Sequence, residues 1–509
     1  MPQTQTELSN GNGSLYHFLP QFFLTAPPPP PQAQEHAACQ QPASSRTTAA
    51  ARHRKHMHLV GELPQKSMAA LAKQYGPVMH LKLGEISTVV VSSPESAAEV
   101  TKTRDAVFAN RPASLAYKIL SFGGKGVLFT PYGSNSRELR KMSTMSLLSA
   151  KQVRFFRSIR EQETVNMLRS VASEASGSIV NLSAQIMRLT NDITARALIG
   201  GKCRYQKEFL ALVDESIEEM SGFSLVDSFP SWAGLIGSLN GVRRKLTRLL
   251  AQIDLIIGSI LDEHRAAWEL SGEKEEKDLI DVMLRIQHEE SLPFSLTDEF
   301  IIAIAMDLFV AGSDTSSTTL QWIMSELIRN PAVMKRAQQE VRETFGGEGK
   351  PAEEDVGKLS YLKLVIKETL RLHPPAPFLI RICLEPTELL GYQIPANTRV
   401  LVNAWAIARD PAVWGDDAEE FRPERFEESA VDYKGTHFEL LPFGSGRRMC
   451  AGMGFGVATV EFPLACLLYY FDWKLPEKEI ELDMRETFKL TSKRKTDLCL
   501  RAVPRLPLP

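Results

Sequence analysis

The segment Pro442-Phe443-Gly444-Ser445-Gly446-Arg447-Arg448-Met449-Cys450-Ala451-Gly452 carries most of what this chain of 509 residues says about its fold. A lone cysteine is usually a small buried hydrophobe, and Cys39, Cys203, Cys383, Cys466 and Cys499 read that way. Cys450 has a different setting, a glycine-rich, arginine-bearing turn that runs into an apolar stretch. Glycine removes the Cβ that would hold a backbone away from a flat partner. Backbone N–H groups aimed at sulfur, with a helix N-terminus behind them, lower a thiol's pKa toward a metal-ligating thiolate. Arg448 adds a cation suited to a carboxylate on the same partner. Phe443, Gly446, Arg448, Cys450 and Gly452 together meet the spacing Phe-x-x-Gly-x-Arg-x-Cys-x-Gly, which chance seldom produces.

The remaining sequence sets bounds. A hydrophobic content of 43% with 24% charged residues is that of a globular protein. A net charge of -2 offers no electrostatic case for nucleic acid. Six cysteines in a chain of this length make no disulfide framework and point to a reducing environment. Residues 1–58 stand apart: the proline run Pro27 to Pro31, followed by Gln, Ala, Ser and Thr, reads as extended or disordered. The apolar patch Leu15 to Leu24 is broken by His17, Pro20 and Gln21. It falls short of the roughly 20 apolar residues of a spanning helix, and no basic leader marks a cleaved signal. His53, His56 and His58 lie beside Arg52, Arg54 and Lys55, a solvated basic stretch rather than a metal site.

Order is expected from about Gly61, within a single domain over residues 59–509. Ser67 to Tyr75 reads as a helix. Val78 to Leu83 and Thr88 to Val91 read as strands around Gly84. Ser93-Pro94 supplies an N-cap and first-turn proline for a helix over Glu95 to Thr103. Apolar residues at three- and four-residue spacing predict helix through most of Ser136 to Leu292. The longest helix is predicted over Asp298 to Arg329, another over Ser360 to Leu372, and a last one over Gly452 to Phe471. The charged stretch Gly272 to Lys277 is a solvated loop. Gly346-Gly347-Glu348-Gly349-Lys350 lacks the spacing of a phosphate loop. The fold class is mainly α with small β-sheets.

Ala311-Gly312-Ser313-Asp314-Thr315-Ser316 interrupts the apolar face of the longest helix. Glycine there costs about 1 kcal/mol relative to alanine, so the patch reads either as a bend or as a groove for a small ligand with a polar relay beside it. Glu368 and Arg371 share one helix face and precede His373-Pro374-Pro375. Farther on stands Phe421-Arg422-Pro423-Glu424-Arg425-Phe426.

These motifs, with the cysteine loop, resemble the cytochrome P450 family over about Leu59 to Val503. Tyr75-Gly76-Pro77-Val78-Met79, Pro131-Tyr132-Gly133 and Asn403-Ala404-Trp405-Ala406-Ile407-Ala408-Arg409-Asp410-Pro411 are similar to its plant microsomal (A-type) monooxygenases. The resemblance implies a single large helical P450 fold with haem b sandwiched between the long central helix and the cysteine loop. It implies Cys450 as iron ligand, Thr315 and Asp314 on the oxygen side, and Arg448, Arg381 and Arg140 at the propionates. Phe443, Gly444 and Gly452 then shape the cofactor loop, while Glu368, Arg371 and Arg425 are structural.

The implied reaction inserts one atom of O2 into a small hydrophobic plant metabolite of terpenoid or phenylpropanoid class. No Gly-x-Gly-x-x-Gly fingerprint follows a strand, so NADPH is expected to act through a separate NADPH–cytochrome reductase. The expected setting is a monomer at the cytosolic face of the endoplasmic reticulum membrane. The pocket is expected from Ala113 to Leu128, Phe209 to Leu239, Ala303 to Thr315, Ala376 to Ile380 and Phe488 to Thr491. The alternatives are a peroxide isomerase or dehydratase, and a non-catalytic or degraded haem binder. The sequence departs from the family pattern at Ser136, where a tryptophan is usual, and before Arg381, where a proline is usual. Both bear on haem retention.

Overall fold

The computed structural model describes residues 63–175, 179–201, 206–220, 225–232, 234, 237, 241–271, 276–346, 351–477 and 481–508. The expectations for residues 1–58, for 272–275 and for 347–350 therefore lie outside the described residues. Helices dominate. In chain order those used below are α1 (Pro64–Tyr75), α2 (Leu115–Leu120), α3 (Ser134–Met142), α4 (Arg157–Ala175), α5 (Leu182–Ile199), α6 (Gln206–Glu219) and α7 (Val242–Ser271). They continue with α8 (Leu279–His288), α9 (Asp298–Arg329), α10 (Pro331–Phe345), α11 (Ser360–Leu372) and α12 (Met453–Tyr470).

The bounds of α9 and α11 match the sequence pattern residue for residue, because each is closed by strong local chemistry. Asn330-Pro331 stops α9, since a residue before proline is pushed out of the helical region. His373-Pro374 does the same for α11. Helix α9 runs through the middle of the core, with Ile301, Ile304, Phe309, Leu320, Trp322 and Leu327 almost fully buried. α5 and α12 flank it. Among the described residues two helices, α9 and α12, are long and apolar enough to cross a bilayer, but both are largely buried inside this fold.

The main sheet holds β1 (Val78–Leu83), β2 (Ile86–Val91), β3 (Phe378–Ile382) and β4 (Arg399–Asn403) in the order β1-β2-β4-β3. β1 and β2 form a tight hairpin that pairs Leu83 with Ile86, so β2 begins two residues earlier than its apolar run suggests. β2 and β4 are parallel neighbours although some 300 residues of chain separate them, a pairing no local pattern announces. Ser93 does cap the helix that follows, its hydroxyl accepting from the Ser96 N–H at 3.2 Å. That helix ends at Ala98 and continues as a wider turn over Glu99–Thr103. Near the C-terminus, the short strands β5 (Glu486–Phe488) and β6 (Ser492–Arg494) make a hairpin whose far end reaches α9.

A buried ionic network fixes the segment leading to the cysteine loop. Glu368 and Arg371 on α11 are both fully buried and paired twice, at 2.7 and 2.8 Å. Arg371 also donates to the carbonyls of Ala408 (2.7 Å), Ala418 (2.6 Å) and Glu420 (3.1 Å). Arg425 joins through Nε to Glu368 Oε1 at 2.8 Å, and the Arg422 N–H caps the same oxygen at 2.9 Å. Two guanidinium groups thus share one carboxylate plus a ring of carbonyls, which satisfies buried charge as burial requires. The role assigned to this trio from sequence is the geometry observed.

Candidate active site

Cys450 sits at the start of the turn that feeds α12. Its N–H donates to the Phe443 carbonyl at 2.8 Å, closing the loop on itself. Protein surrounds the thiol on nearly every side, yet its surface is exposed, so it stands at the wall of an internal space. Gly444 and Gly446 have φ of +70° and +68°, the left-handed region that suits glycine. At Gly446 a Cβ would stand 2.1 Å from the Thr101 carbonyl oxygen, so this glycine serves a close approach of two backbones rather than of backbone to cofactor. In the protein without iron, burial pushes the Cys450 thiol up, while the Gly452 N–H and the Arg140 charge pull it down. Those two aids are where the sequence reading put them, but in the protein alone desolvation outweighs them.

Four arginines gather on the same side. Arg381, on β3, is 1% exposed; its Nη2 reaches only the Ser445 carbonyl at 3.5 Å, and its Nε has no partner. Arg448 donates to the carbonyls of Ala109 (2.8 Å) and Thr130 (2.6 Å). Arg111, which the sequence reading missed, donates to the carbonyls of Leu128 (3.0 Å) and Ile380 (2.8 Å). Arg140 on α3 completes the group, close enough to Cys450 for their charges to interact. Burial, then mutual repulsion, drives Arg381 well below the usual guanidinium range and Arg448 to about 10. The carboxylate facing the group, Asp105, accepts from the Arg447 N–H at 2.7 Å, and burial raises it in turn.

Haem fits this arrangement. A group of buried guanidiniums holding carbonyls, with an orphaned Nε among them, is short of anions. The two propionates of haem would supply them, and the Cys450 thiolate would take the iron from one face. Ser136 is buried on α3, where its hydroxyl accepts from the Gly133 N–H and donates to the Gly133 carbonyl, both at 2.9 Å. It therefore caps the helix that carries Arg140.

Helix α9 carries Gly312, Asp314 and Thr315 and meets α12 at Gly312, beside Phe455. A Cβ on Gly312 would come 3.2 Å from Thr194 on α5, so the helices pack closely at this glycine. The Thr315 hydroxyl donates to the Ala311 carbonyl at 2.6 Å. Asp314 turns elsewhere: Oδ2 accepts from the Thr491 hydroxyl at 2.6 Å, and Oδ1 pairs with Lys493 on β6. The short relay from Asp314 to Thr315 read from the sequence is therefore not a direct hydrogen bond. Asp314 is instead tied to a strand that reaches solvent through the partly exposed Lys493. No local signal marks Thr491 and Lys493, which lie 177 residues or more down the chain.

The comparisons agree with this geometry. The family model described as Cytochrome P450 matches residues 54–500. Desmethyl-deoxy-podophyllotoxin synthase of Sinopodophyllum hexandrum is 50% identical over 450 residues, covering 87% of this chain and 88% of that one. Premnaspirodiene oxygenase of Hyoscyamus muticus is 46% identical over 457 residues, 89% and 90% of the two chains. A solved zebrafish cytochrome P450 with abiraterone superposes with a TM-score of 0.74 at 26% identity, covering 87% of this chain and 99% of that one. The chain belongs to the cytochrome P450 family. It is a haem-dependent monooxygenase of plant specialised metabolism, its curated relatives being of the plant A-type group.

Proposed function

We propose that this enzyme inserts one atom of O2 into a small hydrophobic metabolite of terpenoid or phenylpropanoid class, with electrons delivered from NADPH by a separate NADPH–cytochrome reductase. The observation that carries the assignment of its site is Cys450 at the wall of an internal space, with Arg140 beside it in a group of four arginines that outnumber the acids near them. Bound haem supplies O2 activation, and a thiolate ligand favours O–O cleavage. Cys450 holds the iron; Arg381, Arg448 and Arg140, joined by Arg111, hold the propionates; Phe443, Gly444 and Gly452 shape the loop beneath.

Asp314 and Thr315 manage protons. Lys493 keeps Asp314 in contact with solvent, and the Thr315 hydroxyl, donating to the Ala311 carbonyl, keeps its oxygen lone pairs free to accept a proton. The apolar stretches of α9, with Phe309 packed edge-on against Phe209 of α6 at 4.9 Å, suit an apolar substrate. Relatives bearing names such as germacrene A hydroxylase and 5-epiaristolochene 1,3-dihydroxylase support that class. We further assign residues 59–509 to the catalytic domain and residues 1–58 to a separate leading segment. The enzyme acts as a monomer at the cytosolic face of the endoplasmic reticulum.

The test is spectroscopic and then catalytic. The reduced carbonyl complex of the wild type is expected at the thiolate-ligated Soret position, and Cys450→Ala is expected to lose it. Survival of that band in the variant refutes the ligand assignment. Isomerisation or dehydration of a hydroperoxide substrate itself, with no oxygenated product from O2 and reductase, refutes the monooxygenase route for this enzyme.

A further inference from the structure

Asp105 stands just past the wider turn Glu99–Thr103 and is buried at the edge of the arginine group. Its Oδ2 accepts from the Arg447 N–H, inside the cysteine loop, at 2.7 Å and lies 3.6 Å from Arg447 Nε. Its Oδ1 is buried with no hydrogen-bond partner. A Cβ on Gly446 would stand 2.7 Å from Oδ2, so glycine at this position lets the carboxylate reach the loop.

Guanidiniums face this carboxylate from three elements. Arg381 comes from β3, Arg140 from α3, and Arg447 and Arg448 from the cysteine loop, each close enough for its charge and that of Asp105 to interact. Arg140 interacts in the same way with Cys450, so it stands between the carboxylate and the thiol. Asp307 on α9, the other acid near the group, faces Arg111 and is committed to the N–H groups of Val127 (2.6 Å) and Leu128 (2.9 Å). Asp105 is the acid that meets the cysteine loop and the arginine group together. Its bond to the Arg447 N–H holds it without a hydrogen bond to Arg381, whose Nε stays open to another anion.

We propose that Asp105 is a positioning residue for the haem reaction: fixed by the cysteine loop among the arginines, its charge offsets theirs, lowers the reduction potential of the iron held by Cys450 and loosens the grip on the propionates. This rests on the haem-site reading made above. Reducing the iron adds an electron close to buried cations, which favour it, and a fixed anion among them opposes it. Salt screens such a buried interaction little. Asp105 acts through the arginines and the loop, without a place among the reacting atoms. It competes with the propionates by charge while leaving Arg381 Nε open to them.

The experiment uses haem-loaded full-length protein and the variants Asp105→Asn and Asp105→Ala. Asparagine keeps an oxygen for the Arg447 N–H and loses the charge, whereas alanine loses both. Redox titration with dithionite and mediator dyes is expected to show the one-electron equilibrium of Asp105→Asn shifted about ten-fold toward the ferrous form, or about 59 mV upward. Haem transfer from Asp105→Asn to an acceptor protein should slow by a similar factor, because the propionates lose a competitor. Hydrogen exchange at the Arg447 amide should stay as in wild type in Asp105→Asn and speed up about ten-fold in Asp105→Ala. A potential in Asp105→Asn equal to that of wild type overturns the charge role and leaves only a structural one. Faster haem transfer from Asp105→Asn, or failure of that variant to hold haem, overturns it too. Unchanged Arg447 exchange in Asp105→Ala overturns the fixing of the carboxylate by the loop. If Asp105→Ala does not fold, the potential and haem transfer of Asp105→Asn decide. A wild type lacking the thiolate Soret band would refute the haem-ligand reading itself, a result distinct from any difference between the variants.

Discussion

Two groups of buried arginines stand in this molecule, and they are built in opposite ways. Arg371 and Arg425 share Glu368 and a ring of carbonyl oxygens, so every charge is answered from within the chain. Arg381, Arg448, Arg111 and Arg140 crowd together with fewer carboxylates than guanidiniums, Asp105 beside Arg381, Arg448 and Arg140 and Asp307 beside Arg111, and Arg381 Nε is left unpartnered. Burying a cation is costly unless it is paired. The first group meets that condition on folding and locks the segment under the cysteine loop. The second meets it only in part from within the chain, through Asp105 and Asp307, and so reads as a receptor for further anions. A saturated network holds a fold, and an unsaturated one holds a ligand.

The largest effect is expected at the cysteine beside Arg140 of the open group. Cys450→Ala is expected to abolish the thiolate Soret band while the closed network keeps the fold, checked by far-UV circular dichroism. Next, Glu368→Gln removes the shared carboxylate and strands two buried guanidiniums. A loss of about 3–5 kcal/mol in unfolding free energy is expected, read by denaturant titration, with haem lost as a consequence.

Arg381→Leu should do the reverse. Stability of the polypeptide is expected to hold, because a repelling buried charge is gone, while haem transfer to an acceptor protein accelerates about ten- to hundred-fold, as removing a charged hydrogen bond implies. If Arg381→Leu unfolds the protein as Glu368→Gln does, the two groups are not different in kind.

A third buried pair belongs with the closed type and can be titrated. His264 on α7 presents Nδ1 to the Ile260 carbonyl at 2.8 Å and Nε2 to Asp278 at 2.9 Å, so both ring nitrogens face acceptors. The Asp278 and Asp281 charges carry its pKa to about 9, although burial opposes them. The folded value lies above the unfolded one, so the imidazolium contributes its full stability below about pH 6.5 and loses it as pH rises through about 9. The stability difference between wild type and His264→Gln should shrink over that window, by no more than about 3.4 kcal/mol. A difference independent of pH would show the pair to be neutral.

The smallest effect is expected at Ser136. Ser136→Ala removes the hydroxyl that caps α3, for a loss of about 0.5–1 kcal/mol. Haem transfer should change little, since the cap only supports the helix bearing Arg140. A large change would tie this departure from the family pattern to the open group itself.

Much of this was legible in the chain, and for particular reasons. Asn330-Pro331 and His373-Pro374 stop their helices by sterics that act within a few residues, so α9 and α11 could be bounded from sequence. Glu368 and Arg371 could be paired because three positions on a helix share a face. Arg111 could not be found, since its partners are carbonyl oxygens and one of them, Ile380, lies 269 residues away. The same holds for Thr491 and Lys493 at Asp314, and for the Val127 and Leu128 amides at Asp307. Backbone groups are identical at every position, so no residue type announces that one of them will be chosen.

The sequence by itself determined the kind of protein, because an iron-ligating thiol, its arginine and its glycines are confined to ten residues whose chemistry acts locally. It also determined the helical architecture, whose stops and periodicities are local too. Only the tertiary structure decided the electrical state of the site. Arg381, Arg448, Arg111 and Arg140 are crowded into mutual repulsion, and Asp314 is tied to Lys493 instead of Thr315. Charge energies depend on what surrounds a group in space, and neighbours in space are set by the packing of distant segments.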